Sequence, residues 1–346
     1  MRINKKVVIV GGGFTGAYCA KRLQNKFQVI LIDNKEHFEF TPSIIKSISD
    51  PRNLRKIQIS HKTYLNKGEF LHAEVKEVGK NYVLVNNEKI NFDYLIIASG
   101  SRYTNPIKSQ NILTVQRSKD IRDFHEKLKV SKKILIVGGG IVGVELASDI
   151  ITKYKDKKIT LIDSNSELIP RNNKKTRNHV KAFLEAHGVS IINNEKIIKS
   201  NKQTFFTDRG REITPDMFFL CTGITSNSEF MNKNFKDNLN EKGQIKTNEY
   251  LQMDGFDNIF VGGDVTDILE EKTAQNAEDH AQIILKNIMR LENGKGLKKY
   301  KLAKKSFVIS LGKNRGVFEK GNASFYGLTP ALLKKLIELK TMIRYR

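Results

Sequence analysis

The sequence predicts an α/β fold built from two copies of one strand–loop–helix–strand unit, and three observations predict it. The stretch VVIVGGGFTGAYCA, starting at Val7, returns as ILIVGGGIVGVELA starting at Ile134, 127 residues later. Each copy closes on a second apolar run ending in aspartate, VILID at 29–33 and ITLID at 159–163. Each then carries a further apolar run that ends on a small residue, a hydroxyl residue and glycine, YLIIASG at 94–100 and MFFLCTG at 217–223.

The elements follow in order. A short continuous apolar run at 7–10, directly before the first glycine loop, reads as a strand. A helix is expected from Phe14 to about Gln24, then the strand at 29–33. In the second copy the strand at 134–137 feeds a helix from about Ile141 to Lys153 and the strand at 159–163. The stretches EFLHAEVKEVGKNYVLVNNEKI (69–90) and SIINNEKIIKSNKQTFFTDRGREI (190–213) read as short antiparallel strands inserted in each copy. Each repeat is therefore a parallel sheet with a small β insertion.

The loops carry the chemistry. Gly11, Gly13 and Gly16, and again Gly138, Gly140 and Gly143, have the G-x-G-x-x-G spacing, each set between a strand and a helix. Asp33 stands 22 residues after Gly11, and Asp163 stands 25 after Gly138. In a dinucleotide site the first glycine makes the tight turn, the second lets pyrophosphate reach the backbone, and the third lets helix and strand pack closely. Helix N–H groups bind the phosphate and the acid accepts from ribose hydroxyls. Two such Rossmann-like units predict two bound dinucleotides.

Composition narrows the rest. The chain has 346 residues, enough for two domains, and a formal net charge of +23. That charge suits nucleic acid, an anionic membrane surface or anionic substrates without choosing among them, and lysine is spread along the chain rather than blocked. Only Cys19 and Cys221 occur, far apart, which leaves no ligands for a metal site and no paired-cysteine redox centre. A reducing, cytoplasmic location is expected, and no apolar run approaches the roughly 18–20 residues of a membrane span.

On these motifs the chain resembles the two-dinucleotide-binding-domain flavoproteins of glutathione-reductase-like fold. It is most similar to the type II NADH:quinone oxidoreductases and the ferroptosis-suppressor and apoptosis-inducing-factor-like mitochondria-associated branch. The resemblance implies FAD in the first unit and NADH, or NADPH, in the second. FAD contacts are then Gly11, Gly12, Gly13, Phe14, Thr15, Gly16, Asp33, Ser99 and Gly100, and nicotinamide-nucleotide contacts are Gly138, Gly140, Gly143, Asp163 and Gly223.

Four further segments carry the likeness. EHFEFTPSIIKSI (36–48) is similar to the family's His-x-Phe-x-x-x-Pro stretch, which implies Lys46 as a basic FAD contact; the residues alone leave an exposed helix lysine open. Val75 matches the position whose backbone meets adenine. DNIFVGGDVTD (257–267) implies Gly263 and Asp264 at the ribityl chain. In EKTAQNAEDHA (271–281) a helix is expected near Thr273, with Thr273, Ala274 and Gln275 aiming N–H groups at the flavin. Type II dehydrogenases carry paired glutamines where this chain has Asp279 and His280; His280 agrees with the suppressor branch, which implies a quinone-side proton donor. Finally FVISLGKNRGVFEKGN (307–322) resembles the strand–turn–strand opening the family's C-terminal segment.

That segment ends in LTPALLKKLIELKTMIRYR, whose apolar residues fall at helical spacing among Lys334, Lys335, Lys340, Arg344 and Arg346. Such a helix either lies in an anionic bilayer interface or packs on the flavin domain. Glu145, two residues past Gly143, matches the family's glutamate beside the nicotinamide and flavin rings; an exposed first-turn glutamate is the alternative.

The expected activity is hydride transfer from NADH to FAD and two electrons onward to a quinone. A reductase of a ferredoxin- or rubredoxin-type carrier is the alternative, and a nucleic-acid-binding flavoprotein the minority one. The expected organisation is an FAD domain at 1–105 and 241–291, an NAD(P)H domain at 106–240, and a C-terminal segment at 292–346. Peripheral contact with the cytoplasmic membrane face and a homodimer complete the expectations.

Overall fold

The computed structural model describes residues 4–103, 118–201, 203–302 and 306–346. Its helices are α1 (Phe14–Leu23), α2 (Ile44–Ser49), α3 (Leu54–Ile57), α4 (His61–Tyr64), α5 (Ser118–Val130), α6 (Ile141–Lys153), α7 (Lys174–Ala186), α8 (Ala274–Glu292) and α9 (Leu328–Tyr345).

The first glycine loop leaves the centre of a five-stranded parallel sheet. Lys6–Val10 pairs with Gln28–Asp33 on one side and Tyr94–Ile97 on the other. Residues Val7, Val8 and Ile9 are wholly buried, as a central parallel strand covered on both faces requires. The outer strands are Glu69–His72 and Ile259–Val261, so the chain returns to this sheet after building the second one. There Lys133–Val137 is central, flanked by Lys158–Ile162 and Met217–Leu220, with Ser190–Ile192 at the edge.

The two insertions differ from expectation in their first strands. Glu69–His72 and Ser190–Ile192 extend the parallel sheets, pairing with Gln28–Asp33 and Lys158–Ile162. The antiparallel parts begin later, as Val75–Val78, Tyr82–Val85 and Glu88–Asn91 in the first unit and Ile197–Asn201, Thr204–Thr207 and Glu212–Ile213 in the second. Three- and four-residue runs are too short for alternation to tell a parallel edge from a hairpin arm, and the neighbouring strand decides.

The C-terminal segment has three antiparallel strands, Phe307–Ser310, Gly316–Lys320 and Ala323–Gly327, one more than the expected pair. Over them lies α9, which buries Pro330, Ala331, Met342 and Tyr345 together with the polar Lys334 and Thr341. Its stripe of Ala331, Lys334, Thr341 and Tyr345 faces the protein, while Leu332, Leu336, Leu339 and Ile343 are exposed. Tyr345, fully buried, wedges against Phe38 and Tyr64, and Arg344 pairs with Glu278 at 2.8 Å, so the helix end is clamped to the first unit. The expected boundary between 105 and 106 lies outside the described residues.

Candidate functional site

Both glycine loops open on one cleft of about 3130 Å³. Ordinary small-ligand pockets hold roughly 300–1,000 Å³, so this one has room for two extended dinucleotides. The fit is written in the glycines. A Cβ on Gly13 or Gly140, at the N-terminus of α1 or α6, would meet no protein atom within 4 Å: each points into open cleft beside helix N–H groups, where pyrophosphate would lie. Gly11 and Gly138 have φ of +96° and +111°, and a Cβ there would collide with the backbone of Ala98 or Cys221. Gly16 and Gly143 do not line the cleft; a Cβ on either would strike the carbonyl of Gly11 or Gly138, which is the helix–strand packing role expected of the third glycine.

The acids are matched. Asp33 accepts from the Gly12 N–H through Oδ2 and from Lys35 N–H, 2.8 Å, through Oδ1. Asp163 accepts from Gly139 N–H through Oδ2 and from Asn165 N–H, 2.7 Å, through Oδ1. Each carboxylate thus closes its own loop and stands at the strand end where ribose hydroxyls would reach it. Burial works to raise the Asp33 pKa, but the neighbouring His61 ring, the Lys35 charge and the Lys35 N–H outweigh it and the net shift is downward. Asp33 is therefore held as an acceptor.

Phe14, Thr15, Val75, Ser99, Gly100, Gly223, Gly263, Asp264, Thr273, Ala274 and Gln275 all reach the same cleft. Thr15 donates to the Ala277 carbonyl at 2.8 Å, fixing α1 on α8. Asp264 accepts from Ser101 Oγ at 2.6 Å. Thr273 caps α8 by accepting from Asn276 N–H at 3.2 Å, so the helix N-terminus opens at the cleft wall.

Glu145 is buried rather than an exposed first-turn glutamate. Its Oε1 accepts from Ser310 N–H at 2.7 Å and from the Lys334 ammonium, so the C-terminal strands and α9 both hold it at the cleft. Two expected residues are placed elsewhere. Lys46 lies on α2 outside the cleft lining, and burial and the neighbouring Lys334 lower its pKa. His280 is 1 % exposed, packed behind the wall on α8. Its Nε2 lies 2.8 Å from Oε1 of Glu270, which does line the cleft.

Sequence reasoning missed three residues. Lys334 was counted only among the basic residues of an amphipathic helix, although it falls in register with Ala331, Thr341 and Tyr345. His61 is fully buried with Nε2 3.7 Å from Asp33 Oδ2 and Nδ1 2.5 Å from Tyr64 Oη. Lys272 lines the cleft and donates to the carbonyls of Thr266 (2.8 Å) and Ile268 (3.1 Å), bracing the loop after Asp264. Nothing local marks the last two.

Residues 5–281 match the family model described as pyridine nucleotide-disulphide oxidoreductase. Apoptosis-inducing factor homolog A of Dictyostelium discoideum is 34% identical over 361 residues, spanning 95% of this chain and 88% of that protein. Ferroptosis suppressor protein 1 of Homo sapiens is 31% identical over 331 residues, spanning 90% and 87%. Among solved structures, NDH2 from Plasmodium falciparum in complex with NADH superposes with a TM-score of 0.88 at 17% identity, covering 98% of this chain and 95% of that one. The sulfide:quinone oxidoreductase of Aquifex aeolicus gives 0.87 at 18% identity, covering 99% and 91%. With two glycine loops, two matched acids and one shared cleft, this chain belongs to the pyridine nucleotide-disulphide oxidoreductase family, as an oxidoreductase that binds FAD and a nicotinamide dinucleotide.

Proposed function

We propose that the protein is an NADH dehydrogenase that passes two electrons through FAD to a quinone. The observation that carries this reading is Glu145, buried where the second glycine loop meets the cleft shared with the first. Bound FAD would supply hydride acceptance and electron delivery, so the protein needs no nucleophile of its own.

The chain's residues hold and orient. The first loop and Asp33 suit the adenosine diphosphate of FAD, with Val75 at adenine and Asp264 at the ribityl chain. The second loop and Asp163 suit the nicotinamide nucleotide, and a carboxylate there repels a 2′-phosphate, which favours NADH over NADPH. Both donors to Glu145 among the described residues use Oε1, which leaves Oε2 for a nicotinamide carboxamide. An orienting contact of this kind serves to bring the ring to a near-attack distance of roughly 3–3.5 Å.

Thiol chemistry has no support. Cys19 and Cys221 are both buried, one on α1 and one after Met217–Leu220, and burial pushes the Cys221 thiol up to about 12. The quinone reading draws support from the name of one structural neighbour, the sulfide:quinone oxidoreductase of Aquifex aeolicus, and from the exposed leucines of α9, which suit peripheral contact with a membrane. Among the described residues no helix is long and apolar enough to cross one. The return of Ile259–Val261 to the first sheet supports an FAD domain built from two stretches of chain around an NAD(P)H domain.

The test is a visible spectrum of the purified protein, then oxidation of NADH and NADPH with a short-chain quinone, a ferredoxin, or no acceptor. A colourless protein that FAD does not reconstitute overturns the reading. Turnover on ferredoxin alone replaces the quinone with a carrier protein.

A further inference from the structure

The Gly263–Asp264 turn is held from behind by His280, which lies outside the cleft lining, and through it by Glu270 and Tyr300. Gly263 is buried at φ +79°, and its N–H, which no sheet ladder satisfies, donates to Nδ1 of His280 at 3.0 Å. An accepting Nδ1 carries no proton, so the ring hydrogen sits on Nε2. That atom lies 2.8 Å from Oε1 of Glu270, whose other oxygen accepts from the Tyr300 hydroxyl at 2.7 Å. Burial works to raise the Glu270 pKa, but the close His280 ring and the Tyr300 hydrogen bond outweigh it, and the group remains a carboxylate. The Tyr300 ring stands edge-on to His280, centroids 4.6 Å apart at 81°.

The far end of this chain is also tied. Tyr300 N–H donates to the Glu249 carbonyl at 2.7 Å. Asn287 of α8 brackets Lys298, donating to its carbonyl at 3.0 Å and accepting from its N–H at 2.8 Å. A continuous path therefore runs from residues 298–300, beyond α8, through Glu270 and His280 to the glycine next to Asp264. Asp264 itself is fixed on the cleft side by Ser101.

We propose that His280, Glu270 and Tyr300 form a strut that positions the Gly263–Asp264 turn for FAD, so that the segment after α8 sets how firmly the flavin is held. His280 is then a positioning residue, acting through Gly263. The proposal rests on the assignment of Asp264 to the flavin. Loss of one hydrogen bond frees a buried polar group and loosens the turn it held.

The test uses the FAD-loaded protein with Tyr300→Phe, His280→Leu and His280→Gln. Flavin release is followed by the fluorescence of freed FAD, flavin geometry by visible circular dichroism, and the turn by hydrogen exchange at the Gly263 amide. Tyr300→Phe keeps the ring and removes only the hydroxyl; it should speed release about tenfold. His280→Leu should do more, raise Gly263 exchange even without FAD, and alter the dichroism, and His280→Gln, which restores an acceptor and a donor, should recover part of each. Wild-type release and exchange in Tyr300→Phe and His280→Leu overturn the strut alone. Wild-type protein that takes up no FAD overturns the flavin assignment and the strut together.

Discussion

Lys334 donates to Glu145 across 189 residues of sequence, joining the C-terminal helix to the helix behind the second glycine loop. Both side chains are less than a tenth exposed. Removing the lysine alone strands a carboxylate in a site where ionisation is poorly solvated. Lys334→Met should cost about 3–5 kcal/mol in urea denaturation and depress NADH oxidation. Adding Glu145→Leu should return most of the stability without returning turnover; a double variant no more stable than the single would count against the pair.

The cleft-facing glycines separate nucleotide binding from folding. A methyl on Gly140 meets no protein atom, so Gly140→Ala should leave urea stability within about 0.5 kcal/mol of wild type and FAD content unchanged. It should raise KM for NADH by about tenfold or more, since the added carbon takes the phosphate's place. Gly13→Ala should instead lower FAD occupancy, read from the ratio of 450 nm to 280 nm absorbance, roughly 450 nm being the flavin band.

Asp163 carries the preference between the two nicotinamide cofactors. Asp163→Ser should keep an acceptor for Asn165 N–H and remove the charge, narrowing the NADH:NADPH ratio of kcat/KM by about tenfold or more. An unchanged ratio would assign the discrimination to another residue.

Acid stability has a local source on the first unit. Glu77 takes hydrogen bonds from Lys233 (2.7 Å), Asn234 (2.9 Å) and Tyr82 (2.8 Å), which together bring its pKa to about 2. A carboxylate depressed on folding adds stability that is complete above the ordinary glutamate range and fades as pH falls toward 2. Glu77→Gln should therefore flatten the decline of stability between about pH 5 and 2 and lower the plateau above it.

The outward leucines of α9 make a membrane prediction that does not depend on catalysis. Leu336→Glu with Ile343→Glu changes two residues exposed by 61% and 59%, so the fold should keep its melting temperature. Sedimentation with anionic vesicles should fall several-fold. Undiminished binding would move the contact away from this face.

Much of this was legible in the chain because it is local. The glycine spacing, the strand before each loop and the acid after it all answer to backbone geometry within about thirty residues, and the structure has both units as read. The helix starts at Phe14 and Ile141 followed from the same signals, and the start at Ala274 is one residue from the Thr273 that the family resemblance implied. What only the tertiary structure decided was partnership across sequence. Lys334 looks like one more surface lysine until α9 turns it inward with Ala331, Met342 and Tyr345, and nothing along the chain says that Gly263 donates to Nδ1 of His280. A buried polar atom is satisfied by whatever the fold brings within about 3 Å, and no pattern along the chain records that distance.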